Sequence, residues 1–270
     1  MKRAVAIGVT FTALAIAQTI RYETFPVSLI EQRLQLAVPN NSQRYQRLRQ
    51  LFVESTCEVE EQIVSKKGQP NVICTLKGET DRVILIGAHF DATSPGVADN
   101  WTGASLLPSL FQSLKEAPRR HTFKFVGFTD EEKGLLGSKR YVKDMTAEEK
   151  SRTVAMINLD TLGLGAPNVW TSRSDKVLVE WFATAAHHVK VSISGVEIER
   201  VGSTDSESFA STKIPRIAIS SVTQSTLEIL HTPKDTFEVI RMADYYDTYK
   251  LLTLYLALLD VKLSQEPPAP

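Results

Sequence analysis

The 270-residue sequence predicts a single α/β domain, in which a central, mostly parallel mixed sheet carries helices on both faces. Three observations lead there. From residue 83 onward, strand-like and helix-like stretches alternate, the pattern of crossover units. The stretch Val83, Ile84, Leu85, Ile86 is a short continuous apolar run, as expected of a strand buried on both faces. Aspartate, glutamate and histidine recur where strands stop, and in open α/β sheets ligands bind at the carboxyl ends of strands. No long linker or shift of composition marks a second domain.

Composition fits one large core, with 43% hydrophobic residues. Lys plus Arg and Asp plus Glu both number 31, so the formal net charge is zero. That balance gives no electrostatic footprint for nucleic acid or an anionic membrane. The N-terminus is distinctive. Lys2 and Arg3 precede an uncharged, mostly apolar run from Ala4, which ends in Ala15-Ile16-Ala17 ahead of Gln18. This reads as a secretory signal peptide over residues 1–17, with residues 18–270 as the exported domain, periplasmic or extracellular. The run is shorter than the ~20 residues of a spanning helix, so no stable membrane insertion is expected after cleavage; an uncleaved anchor is the alternative. Export bears on Cys57 and Cys74, which flank a hairpin-like turn, SKKGQPN. They are either a structural disulfide, favoured by an oxidising compartment, or two small buried thiols.

In chain order, Val27, Leu29, Ile30, Leu34 and Leu36 give a helical period over 25–37. Asn41-Ser42 predicts the cap of a second helix to about residue 54. Residues 57–65 and 71–76 read as a hairpin ahead of the central strand at 83. A helix over 103–115 follows, with a disturbance expected at Pro108. Further strands are expected at 122–128, 153–159, 168–171, 193–198 and 216–220. Helices are expected at 134–143 and from Ser174 to about 189, with a short one from Asp205. A long Leu-rich helix over about 241–263 closes the chain.

The chemistry gathers at the strand ends. After the 83–86 run come His89 and Asp91, and Asp99 follows on a Pro- and Gly-containing loop. Asp130, Glu131 and Glu132 end the next strand, and Asp160 ends the one after; Asp205, His231 and Asp235 lie further on. So many carboxylates in an apolar setting require cationic compensation. Imidazole with hard carboxylate oxygen suits zinc or a similar divalent ion, and two such ions about 3.5–4 Å apart serve hydrolysis.

Five motifs, GAHFDA, ADNWTGAS, FTDEEKGLLGS, INLDTLG and HTPKDT, stand in this order on these strand ends. Together they resemble the co-catalytic zinc exopeptidases, which include bacterial leucyl-type aminopeptidases and relatives of glutamate carboxypeptidase. The resemblance implies a phosphorylase/hydrolase-like fold, two Zn2+ per chain and a peptide substrate. It implies that His89 and Asp160 hold one zinc, that Glu132 and His231 hold the other, and that Asp99 bridges them. Glu131 would be the general base for the metal-held water. Asp91 would orient His89 through its other ring nitrogen, and Asp235 would support the His231 loop. The sequence departs from the family around Ser203-Thr204-Asp205, where a Ser-Asp-His pattern is common: Thr204 replaces the serine and Ser206 the histidine. Val201 and Gly202 stand where some members carry a tyrosine that helps the oxyanion. The segment between His89 and Asp99 is also short.

The function implied is a secreted zinc aminopeptidase that removes N-terminal residues from peptides. Two alternatives use the same fold: a glutaminyl-peptide cyclotransferase working with one zinc, and a binding module that has lost catalysis. Other candidates have plainer readings. His121, after Arg119-Arg120, reads as a surface residue, and His187 and His188 as helix-end residues. Trp101 either lines the pocket or packs into the core. Arg173 and Arg200 read as surface arginines.

Overall fold

One mixed sheet of eight strands runs through the molecule: β1 (Val59–Gln62), β2 (Asn71–Leu76), β3 (Val83–His89), β4 (Thr122–Phe128), β5 (Thr153–Leu159), β6 (Asn168–Trp170), β7 (Ser194–Val196) and β8 (Arg216–Ser220). The structure is a computed structural model and describes residues 20–93, 95–197 and 202–265. The signal-peptide expectation for residues 1–17, and the positions of Ile198, Arg200 and Val201, lie outside the described residues. Strand order is β1-β2-β4-β3-β5-β8-β6-β7. The central pairs β4–β3, β3–β5 and β5–β8 are parallel, as is β6–β7, whereas β1–β2, β2–β4 and β6–β8 are antiparallel.

The helices are α1 (Val27–Leu34), α2 (Asn41–Glu54), α3 (Thr102–Lys115), α4 (Leu136–Asp144), α5 (Ala147–Arg152), α6 (Lys176–Val189) and α7 (Met242–Gln265). Alternate side chains of each central strand enter different layers, as the pleat dictates. Ile84 and Ile86 of β3 and Ala155 and Ile157 of β5 join a large cluster with α1, α2, α3, α6 and α7. Leu85 and Met156 point the other way, into a smaller cluster with Tyr141 and Val142 of α4 and with Phe209. Both faces of the central strands are therefore covered.

Local details differ from the sequence expectation in instructive ways. The cap of α2 is Asn40, whose side chain accepts from the Gln43 N–H. That frees Asn41 for another contact described below. Helix α3 runs unbroken through Pro108. A capping box of Thr146 and Glu149 starts α5, a short helix the sequence pattern did not announce. Cys57 and Cys74 form a disulfide, with their Cα atoms 6.1 Å apart, and so tie the end of α2 to β2. His121 is buried rather than exposed, because Asp260 of α7 accepts from its backbone N–H at 2.7 Å and lies 2.9 Å from its Nδ1. Trp101 packs into the core; its indole N–H donates to the Arg33 carbonyl at 3.0 Å.

Candidate active site

Strand ends β3, β4 and β5 lie side by side, so His89 at the end of β3 faces the turn after β4 and Asp160 just beyond β5. His89 Nε2 is 3.2 Å from Asp99 Oδ1 and 3.5 Å from Asp160 Oδ1. The other oxygen of Asp99, Oδ2, is 3.1 Å from His231 Nε2, which is also 3.1 Å from Glu132 Oε2. Among the described residues, these are two sets of three possible metal donors, His89/Asp99/Asp160 and Asp99/Glu132/His231, and Asp99 belongs to both.

The donor spacing tests whether metal ions fit. Zinc–nitrogen and zinc–oxygen bonds of about 2.0–2.1 Å in a tetrahedron separate neighbouring ligand atoms by roughly 3.3–3.4 Å. The observed 3.1–3.5 Å separations match that edge length. Glu132 Oε1 is buried and has no hydrogen-bond partner among the described residues, as fits a carboxylate whose partner is a cation. These residues could therefore hold two divalent ions that share the Asp99 carboxylate.

The backbone holds these groups with strain and with polar ties. His231, Thr161 and Asp130, which are donors or neighbours of donors, have φ of 59°, 58° and 52°. A left-handed conformation is uncommon for such residues and is tolerated where surroundings over-determine it. Asp91 lies against the other ring nitrogen of His89, and does so with its main chain. Its carbonyl, 3.1 Å away, lies against His89 Nδ1, while its carboxylate is 3.8 Å from that nitrogen. The carboxylate instead accepts from the backbone N–H groups of Glu131 and Glu132, at 3.0 and 3.2 Å. So Asp91 orients the imidazole with its main chain and fixes the two glutamates with its side chain. Asp235 reaches across from the His231 loop and accepts from the N–H groups of Ala98 and Asp99.

Asn100 was not singled out in the sequence, yet it sets the distance between two donors. Its Nδ2 donates to the Leu159 carbonyl, and its Oδ1 accepts from the Thr161 and Gly103 N–H groups. Asp99 and Asp160 are thus spaced by one buried amide. The Asp99–Asn100 peptide is cis. The only advance signal was the Asp-Asn sequence itself, since an Asn beside an anchoring Asp has no period that marks it.

Charge in the site is set by burial. Burial pushes the Glu131 carboxyl up to about 9, with Asp160, Asp205 and Asp99 adding to the rise. Burial raises Glu132 to about 7. His231 is raised to about 9, first by its hydrogen bond to Asp99. For His89, burial opposes charge, but Glu131, Asp160 and Asp99 together hold it well above the usual imidazole range. Burial also opposes charge on Asp99, and hydrogen bonds to His231 and His89 outweigh it, keeping its carboxyl well below the usual range. A metal-free site therefore takes up protons where a metal-loaded site would take up cations.

The site opens on a cavity of about 460 Å³, with Glu131, Thr161, Trp170, Thr204, Leu227 and Leu230 in its wall. A larger groove, about 940 Å³, lies over β1, β2 and β4 and contains neither donor set. We take the smaller cavity as the site, because the donors face it. Asp205, expected near the site, is fully buried, and burial raises it to about 7. Thr204, in the serine position of the family pattern, receives a hydrogen bond from Asn158 Nδ2. Arg173 is not free: it pairs with Glu207 and lies over the Trp170 ring.

The sequence profile of peptidase family M28 matches residues 71–256. The chain belongs to peptidase family M28. The chain is similar to Aminopeptidase YwaD of Bacillus subtilis, 28% identical over 167 residues, which covers 58% of this chain and 37% of that protein. The chain thus spans well under half the length of that relative. The solved structure of BSAP, a zinc aminopeptidase from Bacillus subtilis, superposes with a TM-score of 0.63 at 27% identity, covering 70% of this chain and 49% of that one. An Acidobacteriales bacterium glutaminyl cyclase superposes with a TM-score of 0.75 over 94% of this chain and 100% of that one. Its identity is 17%, so that match speaks to the fold alone.

Proposed function

We propose that this M28 chain is a zinc-dependent exopeptidase, an aminopeptidase that removes the N-terminal residue from peptides, with two zinc ions per chain. The single observation that carries this is the shared Asp99 carboxylate, one oxygen to each donor set, with Glu131 on the wall of the same cavity. His89 and Asp160 are assigned to one zinc, Glu132 and His231 to the other, and Asp99 to both. The chemistry that zinc supplies in such a site is polarisation of a carbonyl and acidification of water.

The chain's own residues do the rest. The Glu131 carboxylate accepts a proton from the attacking water as its oxygen bonds to the scissile carbonyl carbon. The same carboxyl then gives that proton to the amide nitrogen as the C–N bond breaks and the amine leaves. Asp91 holds the Glu131 and Glu132 backbone so that base and ligand keep their separate tasks. Trp170, Leu227 and Leu230 in the cavity wall favour an apolar side chain on the residue released.

Export, to the periplasm or beyond, belongs to the same reading. It is supported by the basic-then-apolar N-terminal sequence and by the Cys57–Cys74 disulfide. No helix of the described residues is long and apolar enough to cross a membrane.

Glu131→Gln tests the assignment. It should lower kcat by about 10²–10⁴-fold while zinc content stays unchanged. Near-wild-type turnover in that variant refutes the role of Glu131. Cyclisation of an N-terminal glutamine, the alternative that the sequence motifs leave open on this fold, is the second reading. An N-terminal glutaminyl peptide separates them: conversion to pyroglutamate without peptide cleavage favours the cyclase.

A further inference from the structure

The part of the chain ahead of the family-matched residues 71–256 contacts the backbone that links His89 to Asp99. Its agents are two side chains at the start of α2. Arg44 is fully buried. Its Nε donates to the Val38 carbonyl at 2.6 Å, and Nη1 to the Phe90 carbonyl at 3.1 Å. Nη2 donates to the carbonyls of Pro95 and Gly96, at 2.5 and 2.8 Å. Asn41 pairs both ways with Ala92, donating to its carbonyl at 3.2 Å and accepting from its N–H at 3.0 Å. All of these partners except Val38 lie between His89 and Asp99.

The fit is close. Gly96 has φ of +62°, and a Cβ there would come within 2.3 Å of the Ala92 Cβ, 2.8 Å of the Asp99 carbonyl oxygen and 2.9 Å of Arg44 Nη2. The guanidinium, the loop and the Asp99 backbone are thus in mutual contact. Trp101, just after Asp99, lies 5.7 Å from the Arg44 guanidinium carbon. A planar donor fork with a permanent charge suits several convergent carbonyls, and a lysine would reach fewer of them. The same charge faces the acidic side of the site, where Asp235, Asp91, Asp99 and Glu132 are gathered.

We propose that Arg44 is a positioning residue: from α2 it sets the path of the chain between His89 and Asp99, and through it the placement of the shared carboxylate. This rests on the reading of Asp99 as a shared metal ligand. Arg33 offers the internal control. It is also a buried arginine in the same N-terminal segment, but its side chain donates to Ser109 and Gln112 of α3 and makes no hydrogen bond to that stretch among the described residues.

The experiment compares wild type, Arg44→Lys, Arg44→Met, Asn41→Ala and Arg33→Met, all as full chains. Three quantities are read: zinc affinity by competition with a chelating dye, amide exchange at Ala92, Ala98 and Asp99 in the metal-free protein, and kcat and KM on leucine-p-nitroanilide. Arg44→Met should weaken zinc binding about 10–100-fold, speed exchange at those amides and lower kcat more than KM changes. Arg44→Lys should recover part of the affinity. Arg33→Met should lower the melting temperature without either change. Asn41→Ala, a mild change at a half-buried position, should weaken zinc binding a few-fold and carries the test if Arg44→Met does not fold. If Arg44→Met, or failing it Asn41→Ala, keeps wild-type zinc affinity and exchange, the proposal is overturned. Wild type that binds no zinc overturns it from the other side, by removing the reading on which it rests.

Discussion

Asp235 Oδ2 accepts a hydrogen bond from the Asp99 backbone N–H at 3.1 Å, across 136 residues of sequence. Its Oδ1 accepts from the Ala98 N–H at 2.6 Å. The loop that carries His231 and the loop that carries Asp99 are thereby one unit, and the His231–Asp99 contact follows from that tie.

Asp235→Ala should therefore weaken zinc binding by about 10–100-fold, although Asp235 touches no proposed ligand side chain. A competition titration measures this. Unchanged affinity with a normal melt would mean that the Asp99 loop keeps its place without Asp235.

Zinc uptake should release protons. In the metal-free protein His231 is raised to about 9 and His89 well above its usual range, so both imidazoles hold protons at pH 7. Coordination needs them neutral. Zinc binding at pH 7 should then release about two protons or more per chain, and apparent affinity should rise with pH above 7. Calorimetry at pH 7 in buffers of different ionisation enthalpy reads the release directly, and a buffer-independent heat would contradict it.

The Cys57–Cys74 bond closes a separation of 17 residues. Replacing both cysteines by serine should cost about 3 kcal/mol of unfolding free energy, chiefly through the unfolded chain. Urea denaturation with and without reductant measures it. The activity of the folded fraction should be unchanged, since neither sulfur lies in the site cavity.

Asp260 accepts from the Arg120 and His121 N–H groups and from the His121 ring. Burial opposes its charge, but these bonds hold its pKa below the ordinary value. A depressed folded pKa stabilises above the unfolded value, about 3.9, and that contribution is lost as pH falls through the folded value. Asp260→Asn should cost about 1.5–3 kcal/mol near neutrality, with the gap to wild type closing below about pH 4. A pH series of denaturation midpoints with a constant gap would count against this account.

Much of this was legible in the sequence for one physical reason. Strands β3, β4 and β5 are apolar runs that stop sharply, so the polar residues that follow, His89, Glu131, Glu132 and Asp160, had to lie at one edge of one sheet. His231 carried no such local signal; the HTPKDT motif and its resemblance placed it. What stayed illegible was what binds to backbone. Arg44 and Asn41 act on carbonyls and an N–H group about 50 residues away, and Asn100 acts on groups about 60 residues away. A helix period shows Arg44 only as a charged residue on α2. His121 looked exposed beside Arg119 and Arg120, because its partner Asp260 lies 139 residues on. Sequence places Asp91 beside the His89 imidazole but cannot say whether its carbonyl or its carboxylate meets the ring.

A two-zinc site built on Asp99 is tested by the zinc content of the purified chain, with hydrolysis of leucine-p-nitroanilide followed in the same samples. The expected result is about two zinc ions per chain, loss of hydrolysis on chelation and its return when zinc is added back. One zinc or none, with no chelator-sensitive release of leucine, would contradict it.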